Sequence, residues 1–249
     1  MSSTNESALV RPLPRPSAER ALVCVGYSGG GTAPFRRWAR VLPENTELVL
    51  ICHPGRESRF AEPFATTWEE LCAPIVRALH EQVDRPFVLF GHSMGAAVAF
   101  DVAVRMERAG LRGPSAVVAS ASEAPTDWAV KLHRPPALSQ TDAELLEWMS
   151  TVGQLSPELL AEPELVQIAL ELLRADLTVS ADYRYEPGTT VRAPLQVLYG
   201  SQDGADAAAQ AKRWSVLGAG PVTVTELAGG HFYTPEVWDR LPERFVSLG

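Results

Sequence analysis

A chain of 249 residues, 46% hydrophobic and 21% charged, carries enough apolar side chains for one substantial core without a second domain. The net charge of -8 argues against nucleic acid as a main partner, because phosphate neutralisation needs a basic surface. No apolar run approaches the ~20 residues of a membrane span, so no membrane is expected as a partner.

Residues 1–20, MSSTNESALVRPLPRPSAER, have no apolar stretch of the secretion-signal kind, and their prolines and polar residues predict a loose leader before a single domain at 21–249. Ala21–Tyr27 is a continuous apolar run, which predicts a strand buried on both faces. It runs into Ser28-Gly29-Gly30-Gly31, and a helix is expected over Phe35–Val41. Leu48–Cys52 reads as the next strand, closed by His53-Pro54-Gly55-Arg56. Apolar residues at Leu71, Ile75, Leu79 and Val83 predict a helix over Trp68–Gln82. A short apolar strand from Phe87 then leads through Gly91-His92-Ser93-Met94-Gly95 into a small-residue helix reaching Arg108, and Ala116–Ala119 is a further strand. From Glu123 to about Pro187 the alternation stops, and short helices are expected at Glu144–Met149, Pro157–Leu160 and Pro163–Arg174. It resumes with a strand at Leu195–Tyr199, a helix at Ala205–Trp214, a strand at Val222–Leu227 and a C-terminal helix from Pro235. Alternating strands and helices imply an α/β fold with a mostly parallel, doubly wound sheet. The interruption reads as a helical lid at about 124–187, inserted late in the chain. It carries more apolar residues than packing on itself requires, and Trp148 and Met149 are the first candidates to line a substrate chamber.

Strand, G-x-S-x-G and helix in that order form the nucleophile elbow of an α/β-hydrolase, where a strained turn raises a serine hydroxyl above the sheet. Ser93 is therefore the expected nucleophile. A serine needs a base to take its proton and an acid to orient that base, in the chain order Ser, Asp or Glu, His. His231, just past the last strand, is the expected base, with His53 as competitor; His80, His92 and His133 are not well placed. Asp203 is the expected acid, and Asp206, Glu123 and Asp127 are the alternatives. The oxyanion hole needs two backbone N–H groups. Met94 should supply one and Tyr27, or failing it Ser28, the other. No cluster has metal-ligand spacing and no phosphate-loop pattern succeeds the glycines, so neither a metal nor another cofactor is implied. Cys24, Cys52 and Cys72 cannot all pair, and reduced thiols in a cytoplasmic protein are expected.

Taken together, Gly26-Tyr27-Ser28-Gly29-Gly30, Phe35-Arg36-Arg37-Trp38, His53-Pro54-Gly55-Arg56-Glu57-Ser58-Arg59, the elbow and Gly229-Gly230-His231-Phe232-Tyr233 resemble the type II thioesterases of modular polyketide synthases and nonribosomal peptide synthetases. The resemblance runs from about Ala21 to the C-terminus. It implies a hydrolase that removes stalled or aberrant acyl groups from the phosphopantetheine arm of acyl or peptidyl carrier proteins. It also implies Ser93, Asp203 and His231 as triad, with Tyr27 and Met94 as oxyanion hole. A product-releasing thioesterase or a small-molecule carboxylesterase on the same fold is the alternative, and a monomer is expected. Carrier proteins of this kind are acidic. Arg36, Arg37, Arg40 and Arg59, which come after carboxyl ends of strands, are accordingly candidates to dock them, whereas Arg56 is as readily an internal partner of its loop.

Overall fold

The computed structural model describes residues 8–131, 140–155 and 157–248. Seven strands form one sheet in the order β1-β3-β2-β4-β5-β6-β7. These are β1 (Leu9–Val10), β2 (Arg20–Val25), β3 (Thr46–Ile51), β4 (Phe87–His92), β5 (Ala116–Ser120), β6 (Leu195–Gly200) and β7 (Val222–Leu227). Pairing is parallel from β3 through β7, and β1 runs antiparallel against β3. The expected α/β architecture is thus the observed one.

The strands are apolar throughout because both faces are covered, and successive residues feed opposite sides. Val23, Val25 and Leu89 pack with α1 (Trp68–Gln82) and α2 (Met94–Arg108). Leu22, Cys24, Val88 and Phe90 pack instead with Phe35, Trp38 and Phe245 on the other face. Helix α1 starts where the Thr67 hydroxyl accepts the Glu70 N–H, an N-cap that satisfies one of the first-turn donors. The predicted helix after the glycine loop forms as a 3-10 segment, Ala33–Arg40, which closes the face with Trp38 fully buried and its Nε1–H donating to Trp238 O at 2.8 Å.

Between β5 and β6 lie α3 (Pro125–Lys131), α4 (Asp142–Val152), α5 (Pro157–Leu160) and α6 (Pro163–Asp182). Helix α6 runs about two turns beyond the expected Arg174. Its last turns join the body, since Val179 and the adjoining Tyr183 are buried in the main core. Helices α7 (Ala207–Arg213) and α8 (Pro235–Asp239) complete the chain. Cys24, Cys52 and Cys72 are buried and unpaired.

The expectation of a loose leader fails from residue 8 onward. Leu9 and Val10 pair with Ile51 and Leu50, and two arginines fasten the next stretch of chain. Arg11 donates to Gln82 O, and Arg15 donates to the carbonyls of Ala39, Leu42, Pro43 and Thr46 at 2.6–3.1 Å. A two-residue strand carries no periodicity to read, and the arginines' carbonyl partners are far away in sequence. Because most of those carbonyl contacts are part-buried, Arg15→Ala should cost roughly 1–3 kcal/mol and lower Tm by several degrees. Arg240→Ala, which removes an exposed pair with Glu243, should stay within about 0.5 kcal/mol in the same thermal melts.

Candidate active site

Ser93 sits between β4 and α2 with φ 55° and ψ −124°, a conformation that costs a non-glycine residue on the order of 1–3 kcal/mol and persists only where its surroundings enforce it. Backbone contact enforces it here. A Cβ on Gly91 would lie 1.9 Å from Gly95 O, and one on Gly95 would lie 2.4 Å from Gly26 O. The Ser93 N–H donates to Ser120 O at 2.8 Å, and the Ser93 carbonyl accepts from Ala96 N at 2.9 Å. The turn is therefore clamped between β5 and the first turn of α2.

His231 lies in the loop after β7, and its Nδ1 meets both carboxylate oxygens of Asp203 at 3.1 Å. With the carboxylate accepting, the Nδ1–H tautomer is selected and Nε2 is left to act as a base. Asp203 comes just after β6, and the two loops are joined backbone to backbone. Ser201 N donates to Leu227 O and Gln202 N to Gly229 O, both at 2.8 Å, while a Cβ on Gly200 would meet Gly230 O at 2.2 Å. Asp203, not its alternatives, is the carboxylate on His231. Asp206 stands at the N-terminus of α7, Asp127 pairs with Arg213 at 2.8 Å, and Glu123 is half-buried after β5.

Beneath the pair is a buried polar chain that the sequence does not announce. His92 is fully buried; its Nδ1 meets Ser120 Oγ at 3.0 Å, and Ser120 Oγ meets the Tyr233 hydroxyl at 2.7 Å. The His92 ring lies 5.2 Å from that of His231 and 5.0 Å from that of Phe232. The chain ties the His231 loop to the end of β5, beside the elbow. Burial, and then the neighbouring His231, keep His92 neutral by holding its pKa well below the usual histidine value. Among the described residues no hydrogen bond joins Ser93 Oγ to His231; such links commonly tighten only with substrate bound.

The expected oxyanion groups are also placed. Met94 is the first residue of α2, so its N–H has no acceptor within the helix. Tyr27 begins the glycine loop, where Gly30 N donates to Tyr27 O at 2.9 Å; among the described residues its own N–H meets no acceptor. The Tyr27 ring packs on Phe232 at 4.7 Å, and burial pushes its hydroxyl up to about 12. Ser28 is buried, and its carbonyl accepts from Gln154 Nε2 at 2.9 Å. Ser93, the Asp203–His231 pair, Met94 and Tyr27 come together at the carboxyl ends of the strands. A hydroxyl on a strained turn, an oriented imidazole and two backbone N–H donors, one at a helix N-terminus and one in a loop, form a set suited to nucleophilic acyl transfer.

Other expected site residues lie differently. Met149 is buried in the lid's own cluster with Leu145, Ala169, Leu170 and Leu173, so it is occupied by lid packing, whereas Trp148 is exposed. Arg59 is not a free docking cation: it pairs with Glu62 at 2.6 Å and donates to Cys52 O at 2.8 Å, so it braces its own loop. Arg36 is exposed but turned to Thr32 and Glu57, Arg37 is exposed with Asp239 at 3.9 Å, and Arg40 is exposed. Arg56 is internal, in a buried pair with Asp176. His133 lies outside the described residues. His53 stands apart from the triad, buried beside a small cleft against α6 that is lined also by Arg56, Phe64, Leu71 and Val179. Among the described residues neither of its ring nitrogens has a partner.

A family model described as a thioesterase domain matches residues 20–247. The RedJ thioesterase from the prodiginine biosynthetic pathway of Streptomyces coelicolor superposes with a TM-score of 0.83 at 27% identity, covering 95% of this chain and 92% of RedJ. BorB, the type II thioesterase from the borrelidin biosynthetic cluster, superposes with a TM-score of 0.79 at 32% identity, covering 97% and 94%. The AMB antimetabolite synthetase AmbE of Pseudomonas aeruginosa is 36% identical over 84% of this chain, which spans 10% of AmbE.

The geometry generates two expected outcomes. A serine-directed fluorophosphonate should label wild-type protein and not Ser93→Ala, and Asp203→Asn should slow labelling by on the order of 10²–10⁴. Asp206→Asn and Asp127→Asn should label at near the wild-type rate; mass spectrometry of the adduct reads both. The second outcome concerns acid stability. Burial, and then the Arg56 charge, lower the His53 pKa to about 4 from 6.5. Between those values the unfolded chain takes up a proton that the folded chain refuses, so the contribution of neutral His53 is complete above 6.5 and is lost as pH falls toward 4. Urea unfolding at pH 7 and pH 5 should show a stability difference that shrinks by roughly 1–2 kcal/mol in His53→Leu.

Proposed function

The chain belongs to the thioesterase domain family, and from that premise we propose that it hydrolyses acyl thioesters carried on the phosphopantetheine arm of acyl or peptidyl carrier proteins. Its task is to clear stalled or aberrant acyl groups during polyketide or nonribosomal peptide assembly. The observation that carries this reading is the strained Ser93 elbow beside the Asp203–His231 pair, in a chain superposing on BorB, a type II thioesterase, over nearly its full length.

His231 Nε2 takes the Ser93 Oγ proton as that oxygen attacks the thioester carbonyl carbon. The carbonyl oxygen becomes an oxyanion held by the N–H groups of Met94 and Tyr27, donors fixed before the charge develops. Asp203 keeps the Nδ1–H tautomer and stabilises the imidazolium. Collapse of the adduct breaks the carbon–sulfur bond, and the thiol leaves with the proton from His231. Water then attacks the acyl-serine with His231 again as base. A second collapse frees the carboxylic acid and returns the proton to Ser93.

The match to a part of AmbE, a synthetase, favours one second reading: release of a finished product from a carrier. One panel separates the readings. Hydrolysis of carriers bearing short, non-elongated acyl groups supports clearance, turnover confined to a mature chain supports product release, and turnover of oxygen esters alone defeats both. Ser93→Ala should cut hydrolysis by roughly 10³–10⁶. Arg37 and Arg40 lie at the site rim in this reading, and rim charges act on association and fade with salt. Reversing both to Glu should raise KM for an acyl-carrier substrate at low ionic strength and leave a small thioester unaffected; equal effects on the two substrates would remove them from docking.

A further inference from the structure

Asp176 of the lid helix α6 and Arg56 of the loop after β3 form a buried bidentate ion pair, Nη1 to Oδ2 at 2.9 Å and Nη2 to Oδ1 at 2.6 Å. Their side chains are 4% and 3% exposed. The pair does not end on itself. Asp176 Oδ2 also accepts the Gly29 N–H at 2.7 Å, and Arg56 Nη1 also donates to Gly30 O at 2.7 Å. Two consecutive residues of the glycine loop are thereby gripped by adjacent atoms of the pair, the N–H of one by the carboxylate and the carbonyl of the next by the guanidinium. The loop has further holds: Gln154 on Ser28 O, and Glu57 Oε1, which accepts the Thr32 N–H at 2.6 Å. It is the Asp176–Arg56 pair that reaches its two central glycines, two and three residues after Tyr27.

We propose that Asp176 and Arg56 are positioning residues that fix the Tyr27 N–H for the developing oxyanion, so that a lid residue sets the rate of the chemical step as well as covering the site. The inference rests on the acyl-transfer reading above. A glycine-rich turn has little conformational preference of its own, and a displacement of about 1 Å in a reacting geometry costs on the order of 10²-fold in rate. The chain therefore needs an external template for that turn. A fully buried charge pair is stiff because neither partner is tolerated alone. An ordinary lid contact would not need a desolvated ion pair aimed at two backbone groups.

The same helix supplies a control. Asp182 Oδ2 accepts the Trp68 N–H at 2.8 Å, a carboxylate joining α6 to the body at a point away from the glycine loop. The test compares Asp176→Asn, Asp182→Asn and the double variant Arg56→Met/Asp176→Leu. The double variant removes both charges together and so avoids an unpaired buried one. Each is assayed with a hexanoyl thioester of N-acetylcysteamine well below its Tm. The expected result for Asp176→Asn and for the double variant is a fall in kcat on the order of 10²-fold, with KM within about threefold. A trifluoromethyl ketone analogue, which mimics the tetrahedral adduct, should lose affinity by the same factor, and a non-hydrolysable thioether should not. Asp182→Asn should keep wild-type kcat. If Asp176→Asn does not fold, the double variant alone decides. Wild-type kcat in the double variant overturns the proposal, and so does an equal fall in Asp182→Asn, which would mark a general lid effect. Activity retained by Ser93→Ala would instead defeat the acyl-transfer reading itself, an outcome distinguishable from the others.

Discussion

Everything at the site depends on backbone touching backbone where β2, β4 and α2 converge. Gly91 presses on the Gly95 carbonyl and Gly95 on the carbonyls of Val25 and Gly26, at separations no Cβ could occupy. That contact holds Ser93 in its strained conformation, aims the first N–H groups of α2, and sets the start of the glycine loop against them. The strain persists because β4 and α2 are buried on nearly every side and together offer no relaxed alternative. The other half of the site repeats the device. Gly200 approaches Gly230 so closely that no Cβ fits between them, and backbone hydrogen bonds join the loops bearing Asp203 and His231. Two rigid backbone crossings, bridged by the His92–Ser120–Tyr233 chain, give the geometry its precision without any metal cluster or disulfide among the described residues.

The lid, by contrast, is not one mechanical unit. The C-terminal half of α6 belongs to the body: Val179 is in the main core, Asp182 accepts from Trp68, and Asp176 closes the buried ion pair. Helices α4 and α5 rest on a separate small cluster with the first half of α6, and Trp148, Leu160, Leu165 and Ile168 face solvent there. A hydrogen bond from Gln154 to Ser28 O links this part to the glycine loop. Local stability tracks the density of buried contacts. The density of buried contacts therefore falls from the C-terminal half of α6, which is anchored in the body, toward α4 and α5.

The central sheet was legible in the sequence because strands buried on both faces leave nearly uninterrupted apolar runs, and Ala21–Tyr27 and Phe87–Phe90 are of that kind. The elbow and the Gly-Gly-His turn were legible because steric demand at those points admits so few residue types. The features that escaped did so for physical reasons. Leu9–Val10 is too short to show a period. Arg59 looked like a surface cation because an arginine three residues before a glutamate reads equally as a solvated pair, and only the folded loop brings Cys52 O to it. Asp176 lies in an amphipathic helix where an acid reads as solvated, and its partner is 120 residues away. Met149 looked like a chamber residue, but apolar spacing cannot distinguish a wall from the packing behind it. Polar partners far apart in sequence, as at Arg15 and Asp176, are one class of feature that pattern reading misses here.

The short strand at the chain's start has a further consequence. A parallel sheet ends in two rows of unpaired backbone groups, and such rows invite pairing with another chain. At the β7 side that invitation is weak, because the strand alternates threonine and valine with Glu226, and much of it is polar. At the β3 side the strand, Thr46–Ile51, is wholly buried and strongly apolar, a far better template for misassembly. Leu9 and Val10 occupy part of that row, Ala8 O takes the Cys52 N–H at 2.8 Å, and Arg11 and Arg15 secure the chain beyond them. In this sense β1 works less as an element of the fold than as a guard on its sticky edge. Its absence would be felt first as self-association of otherwise folded molecules, well before any loss at the distant serine.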